Sequence, residues 1–514
     1  PTGWHMGAHR LAHGSPPGGT WEPVGRHMAD DMNSQRNNHG LPLWQSSVNR
    51  RFPTVAATAK HEVECRIIGE VGILSYLYTI IARGVFKSID VPHLPIAQKN
   101  KKMKYNTATL PSGIRVILIP STSDVVYCGY VVSAGSRHER NGEEGLAHFC
   151  EHVSFKGTPK RKASNILNEL ECVGGDLNAF TNKEDTTYYA SVRKEHVARA
   201  VGLLTDIVFH STYPQKEINK EVDVICDEIE SYNDSPSELI FDEFENILFR
   251  DHPLGHNILG SAERVRGYQT ADALRFTRGH YLPQRSVFFL HGNMTLQRLL
   301  RMLKRATADL PTAAPDVEHE EAATLGPQPG AGDDPIVVHR DTHQSHVVIG
   351  GRSFAASDPR RLPLYVLNNL LGGPGMNSRL NVSLRERHGL VYTVESSMAS
   401  YGDTGVWCTY FGCDNSDVKR CLRLLRHELD RVVDAPLSRG QLQAAKRQIL
   451  GQLAITYDNH ETLALDMGRS FLHGGLERDL VHFAQRLEKV TPEDVLQAAR
   501  DVLGKDNLTT LVFE

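Results

Sequence analysis

The sequence predicts an α/β (α+β) protein built as two units of similar size, and three observations carry that prediction. Strand-like runs of aliphatic and β-branched residues alternate with helical periodicity in both parts of the chain. The stretch 311–334, loaded with Ala, Pro, Gly and Glu, reads as a linker. After it the pattern restarts with a strand. The units are therefore 105–310 and 335–514, and detailed identity between them is weak, so the pattern permits a duplicated fold without establishing it.

Residues 1–104 form an extension. Its first part, to about residue 60, is rich in Gly, Pro, His, Ser and Asn and cannot build a core of its own. A short hydrophobic stretch over 67–86 follows, interrupted by Glu70 and Arg83, and its longest charge-free part, 71–82, falls short of the roughly 20 apolar residues a membrane-crossing helix needs. It is expected as a helix buried against the protein or a partner, with a membrane-surface or membrane-complex contact as the alternative. The chain begins at Pro1, as expected of a processed form. Ordered structure should start near Tyr105, with a turn over 110–113 before a strand at 114–119 and a second at 125–132. Helices are expected over 144–155, stopped by Gly157 and Pro159, and over 164–172, stopped by Gly174 and Gly175. A Thr- and Tyr-rich strand pair fills 176–192. Pro214 can open a helix carrying 216–229, because its missing N–H costs nothing in a first turn. In the second unit, strands are expected at 336–339 and 346–350 and a helix at 364–371.

Composition narrows the function. The 514 residues include 57 Lys and Arg against 61 Asp and Glu, a net charge of −4, which argues against a nucleic-acid carrier. The eight Cys show no Cys-x-x-Cys pair, which suits a reducing compartment or simple buried thiols. The segment Gly372-Gly373-Pro374-Gly375 has no following Gly-Lys-Ser or Gly-Lys-Thr, so it is not read as a phosphate loop.

His148-Phe149-Cys150-Glu151-His152 lies inside a predicted helix. Positions i and i+4 share a face, so both imidazoles can reach one ion, with Glu151 beside them to address a bound water. This is the inverted His-x-x-Glu-His order. Alone it is also compatible with three polar residues on a solvated helix surface. Cys150, between the two His, is off their face and reads as a packed thiol. A third ligand is best sought on the acidic helix 217–230, where Glu221 and Glu228 share a face two turns apart; spacing does not choose between them, and an ordinary solvated acidic face gives the same pattern.

With these residues on the page, the sequence resembles the pitrilysin or insulinase family of zinc metallopeptidases over about residues 105–514, and within it the beta subunit of the mitochondrial processing peptidase and the core proteins of the cytochrome bc1 complex. The resemblance implies two homologous halves, each of two α/β units with mixed sheets flanked by helices, clam-like around a cavity. It implies Zn2+ held by His148, His152 and Glu228, with Glu221 as the supporting acid of the third ligand, Glu228, and Glu151 as catalytic acid–base. The segment 174–181 looks like the edge strand that binds an extended peptide, which gives Asn178, Ala179, Phe180 and Thr181 as substrate-binding residues. The segment 384–392 looks like the family's Arg and Tyr element, so Arg385 and Tyr392 would reach the substrate backbone or the developing oxyanion.

The function implied is a beta-type zinc metalloendopeptidase cutting mitochondrial presequences, placed on the matrix side of the inner membrane. Its partners would be an alpha-type processing peptidase or core 2 subunit, cytochrome b, cytochrome c1 and other complex III subunits, and presequence peptides, with no nucleic acid. A structural complex III core protein with little activity and a soluble homodimeric peptidase are the alternatives; the Gly372–Gly375 segment resembles the bacterial branch of the family.

Overall fold

A computed structural model of the chain describes residues 104–312, 325–332, 334–340, 342–474 and 480–514, which belong to one packed unit. The expected hydrophobic helix over 67–86 lies outside these residues. Among the described residues no helix is long and apolar enough to cross a membrane.

The first half opens with strands β1 (Asn106–Thr109), β2 (Arg115–Pro120) and β3 (Val125–Val132), then helices α1 (Leu146–Ser154) and α2 (Ala163–Glu171). Strands β4 (Asp176–Thr181) and β5 (Thr186–Arg193) follow, then α3 (Val197–Phe209), α4 (Gln215–Asn233), α5 (Pro236–Leu248), the short α6 (Ala262–Val265) and α7 (Thr270–His280). Strand β6 (Ser286–Gly292) and α8 (Leu296–Ala306) close this half. The second half runs β7 (Ile336–Val338), β8 (Ser345–Ser353), α9 (Arg361–Gly372), a π-helical turn (Asn381–Glu386), β9 (Val391–Ser400) and β10 (Gly405–Cys413). It ends with α10 (Val418–Asp434), α11 (Arg439–Thr456), α12 (His460–Leu472), α13 (Leu480–Lys489), α14 (Pro492–Leu503) and β11 (Thr509–Phe513).

The expected early elements are present with shifts of one or two residues. The turn before β2 is closed by the Gly113 amide on the Leu110 carbonyl at 2.9 Å, and Gly113 sits at φ 91, where a side chain would be strained. Pro214 differs from expectation: it caps α4 from outside, with extended ψ 125, instead of entering the first turn. Strand β1, not anticipated, is a largely exposed edge strand without large aliphatic residues.

The two sheets are ordered β1-β2-β6-β3-β5-β4 and β7-β11-β8-β10-β9. With β1 set aside they have the same order and sense: one parallel pair (β2 with β6, β7 with β11) followed by antiparallel neighbours. This is the mixed α/β architecture of two related halves. Each half is built on one such mixed sheet flanked by helices, and the parallel pairing of β2 with β6 or of β7 with β11 makes the sheet one continuous ladder. In both halves the strand at the far edge, β4 or β9, follows the helices after the central antiparallel strand.

The halves also exchange a helix. One face of the first sheet packs on α1, α3 and α4 through a core including Val126, Tyr130, Phe149, Leu204 and Ile225. Its other face, with Ile117, Val131, Val287 and Phe289, is covered by Leu463, Ala464 and Met467 of α12, a helix of the second half. Reciprocally, Leu239, Ile240, Phe244 and Leu248 of α5 cover Val348, Val406, Tyr410 and Leu511 of the second sheet. Strands buried on both faces read as continuous apolar runs, as β6 does. The α12 contact is close: a Cβ added at Gly468 would stand 2.6 Å from the Phe289 ring. Arg115 of β2 donates to the Phe471 and Leu472 carbonyls at 3.0 Å each, satisfying the C-terminal end of α12.

Asp185, in the turn between β4 and β5, fixes the same contact. Its buried carboxylate accepts from Arg469 Nε and Nη2 at 3.1 Å and lies 3.1 Å from His473 Nε2. Burial acts to raise this carboxyl, but Arg469 and then His473 outweigh it and hold it well below the usual carboxylate range. Stability from this group is therefore complete above the unfolded value of about 3.9 and is lost as pH falls below it towards the depressed folded value. Asp185→Asn is expected to lower unfolding free energy by about 2 kcal/mol near neutral pH, since it leaves the partly exposed Arg469 guanidinium without its buried carboxylate. Denaturant unfolding should also show less acid sensitivity in the variant below pH 4; equal stability of the two proteins would remove Asp185 from the contact between halves.

Candidate active site

Helix α1 begins at Gly145, in the left-handed region at φ 90, and buries Leu146, Ala147, Phe149, Cys150 and Val153 completely in the core. That apolar set leaves His148, Glu151 and His152 on the remaining face. Cys150 points into the core, with Sγ 3.9 Å from the Ala273 carbonyl, as its spacing indicated. Helix α4 docks through Ile218, Ile225, Cys226 and Ile229, which turns Glu221 and Glu228 together towards α1.

The ligand atoms of His148, His152 and Glu228 lie within 4.8 Å of one another. Glu228 Oε1 is 3.8 Å from His148 Nε2, and its Oε2 is 3.2 Å from His152 Nε2. On the other side of the His152 ring, Nδ1 stands 3.2 Å from Glu221 Oε1, and Glu221 Oε2 is held by Lys156 Nζ at 2.6 Å. A carboxylate behind an imidazole fixes the ring's orientation and leaves its far nitrogen free for a metal. Zinc takes such nitrogen and oxygen donors at about 2.0–2.2 Å in small clusters, so these three residues fit one zinc ion. The Glu228 side chain is 30% exposed against 6% for His148, so the cluster opens to solvent on the Glu228 side. Glu151 is buried beside it and accepts from Thr181 Oγ1 at 2.6 Å.

The electrostatics agree with a site made for a cation. Burial, and then His152, push the His148 imidazole down to about 3. Burial opposes charge on His152 too, but hydrogen bonds to Glu221 and Glu228 and the field of Glu151 outweigh it and push the ring up to about 10. Burial acts to raise Glu221 and Glu228, yet both end below their ordinary value; His152 and Lys156 act on Glu221, and the two imidazoles on Glu228. Glu151, with burial dominant, is raised to about 7, where a carboxyl can both accept and return a proton.

Of the other sequence-derived residues, Asn178, Ala179, Phe180 and Thr181 are the last four of the six residues of β4, the free edge of the first sheet. Asn178 bonds Asp176 at 2.7 Å, Phe180 packs edge-on to Tyr189, and Thr181 ties this edge to Glu151. Arg385 is the penultimate residue of the π-helical turn and Tyr392 the second of β9, the second half's counterpart of β4. The Arg385 guanidinium carbon is 5.6 Å from the Tyr392 ring centre and its Nε is 3.9 Å from Glu386 Oε1, while Tyr392 is 84% exposed. Neither bonds the His148 cluster. Lys156 was not singled out from the sequence, although it stands four residues after His152, in the turn just past the end of α1.

Comparison with known proteins gives a consistent picture. Residues 115–262 match the model of the insulinase family, peptidase family M16, and residues 269–449 match that of the peptidase M16 inactive domain. A Streptomyces coelicolor protein named as an uncharacterized zinc protease is 35% identical over 405 residues, covering 77% of this chain and 87% of its own length. A Bacillus subtilis zinc protease is 30% identical over 405 residues, covering 79% and 97%. Among solved structures, a protease from Helicobacter pylori superposes with a TM-score of 0.73 at 20% identity, covering 80% of this chain and all of its own. A peptidase M16 inactive domain from Pseudomonas fluorescens gives 0.73 at 18% identity, covering 80% and 98%.

Proposed function

The chain belongs to the insulinase family of peptidases, M16, and is a zinc metallopeptidase; from that premise we propose that it is an endopeptidase taking extended peptides along β4 and cutting them at the cluster of His148, His152 and Glu228. The observation that carries the proposal is the convergence of those three side chains beside a buried Glu151 that is itself tied to the free sheet edge by Thr181. A substrate strand added to β4 gains backbone hydrogen bonds with limited side-chain choice and is delivered to Glu151.

Zinc, when bound, supplies a Lewis acid for the scissile carbonyl and lowers the pKa of bound water. The chain's residues do the rest. His148, His152 and Glu228 hold the ion, and Glu221, braced by Lys156, keeps His152 Nε2 turned towards it. Glu151 Oε2 is oriented by Thr181, takes the proton of the attacking water and returns it to the leaving amine. Arg385 and Tyr392 act from the second half, donating to the substrate backbone or the developing oxyanion. Tyr392→Phe is expected to lower kcat by about 10²-fold, the effect of losing one oxyanion donor, with zinc content unchanged. Wild-type turnover in that variant would remove Tyr392 from the mechanism.

A second, finer reading is a beta-type processing subunit that cuts basic presequences in the mitochondrial matrix with an alpha-type partner, alone or as a complex III core protein beside cytochrome b and cytochrome c1. What supports it is the acidic character of α4, the helix that carries Glu221 and Glu228, where Asp223, Asp227 and Glu230 are exposed. The alternative is a soluble homodimeric peptidase, and what supports it is that the relatives described above are bacterial zinc proteases. The readings part on one assay. Neutralising Asp223 and Asp227 should raise KM selectively for Arg-containing peptides if basic presequences are the substrates; unchanged discrimination against neutral peptides leaves the homodimeric reading.

A further inference from the structure

The mechanism so far uses the middle of α1 and leaves its entry unexplained. The N-cap residue is Gly145, which has no side chain to satisfy the first-turn amides. Glu139 does so from six residues upstream: its Oε2 accepts from the Gly145 amide at 3.0 Å and its Oε1 from the Ala147 amide at 2.7 Å. This carboxylate has no solvent exposure and faces the positive end of the helix. His256 Nε2 stands 2.8 Å from the same Oε2 and 3.0 Å from the Ser136 carbonyl; between two acceptors it is the donor.

His256 belongs to a loop pressed against the helix entry. A Cβ at Gly260 would stand 2.3 Å from the Glu144 carbonyl, and Tyr268 donates to that carbonyl at 3.0 Å. The loop is fixed from the far side as well: Lys183 donates to the carbonyls of His256 and of Leu254, the latter at 3.2 Å. Lys183 lies two residues beyond Thr181, which holds Glu151. One bonded path thus runs from the start of the site helix to the end of the substrate edge strand.

We infer that Glu139 and His256 are positioning residues for the peptidase reaction: the Glu139 carboxylate, aligned by His256, fixes the axial position and rotation of α1 and so sets where His148, Glu151 and His152 stand relative to Glu228. The bonded Ala147 amide is next to His148, and Glu151 follows one turn later, so a small shift at the entry is carried directly to all three. Glu139→Gln cannot serve both amides, because one of its two positions becomes an NH2 group facing an N–H. His256→Ala leaves Glu139 in place but removes its aligning donor, and His256→Gln restores a donor there.

The inference rests on the zinc reading of the site, and the experiment separates the two. Wild type, Glu139→Gln, His256→Ala and His256→Gln are compared for turnover of a quenched fluorescent peptide, zinc affinity by competition with a chromogenic chelator, and hydrogen exchange at the Gly145 and Ala147 amides. Glu139→Gln and His256→Ala are expected to lose about 10- to 100-fold in kcat or in zinc affinity, as residues that orient metal ligands do, with KM within about twofold. Faster exchange should be confined to the start of α1, and His256→Gln should recover most of the loss. Unchanged kcat and zinc affinity in folded Glu139→Gln or His256→Ala would overturn the positioning role, even if thermal stability fell; should Glu139→Gln fail to fold, His256→Ala decides alone. A wild type that neither binds zinc nor cuts the peptide would instead overturn the reading of the site itself.

Discussion

Glu151→Gln is expected to lower kcat by about 10²–10⁴-fold, the range for removing a general acid–base, while zinc stays bound. Glutamine keeps the shape of Glu151 and still accepts the Thr181 hydroxyl through its carbonyl oxygen, so the 2.6 Å tether and the α1 packing should persist. What disappears is the ability to take a proton from water and return it to the amine. Since burial already disfavours charge on Glu151, its neutral replacement adds no buried unpaired charge, and thermal stability should be equal to or above that of wild type. Zinc analysis together with single-turnover cleavage checks this. A Glu151→Gln variant with more than about a tenth of wild-type turnover would show that another group moves the proton.

The second large effect falls on the metal. His148→Ala is expected to abolish stoichiometric zinc and reduce cleavage to background, because the cluster has three donors and a site with two holds zinc weakly. His148 is also a sound choice structurally: its Nδ1 is buried without a hydrogen-bond partner, so removing the ring strands no other polar group. His152→Ala would be harder to interpret, since Glu221 and Glu228 both lean on that ring. Elemental analysis of dialysed protein reads the result directly. Full zinc occupancy in His148→Ala would assign the metal to other residues.

Legibility in the sequence followed the range of the physics involved. The His148–His152 pair was readable because helical geometry alone puts i and i+4 on one face. Cys150 could be set aside by the same rule, and its burial against Ala273 agrees. Glu221 and Glu228 were not separable by spacing, because positions seven apart share a face; only packing shows that Glu228 meets both imidazoles while Glu221 stands behind one of them. The Glu139 carboxylate was beyond reach for another reason: it caps α1 across an intervening turn, outside the local pattern that marks a Ser, Thr or Asp cap.

The fold shows the same divide. Strand and helix periods located the early elements to within a residue or two, yet nothing in an amphipathic period says which sheet a helix will cover. The exchange of α5 and α12 between the halves is therefore a fact of tertiary packing, visible only through contacts such as Gly468 on Phe289. Strand β1 was missed because Asn106-Thr107-Ala108-Thr109 has no aliphatic pair to mark a buried face, and as an edge strand it needs none.

The most direct test of the account is product mapping by mass spectrometry on a long unstructured peptide incubated with the purified chain, before chelation, after chelation, and after zinc is restored. Internal cuts are expected that vanish with the chelator, return with zinc, and are absent in Glu151→Gln. Cleavage that survives complete removal of zinc, or persists in Glu151→Gln, would contradict it.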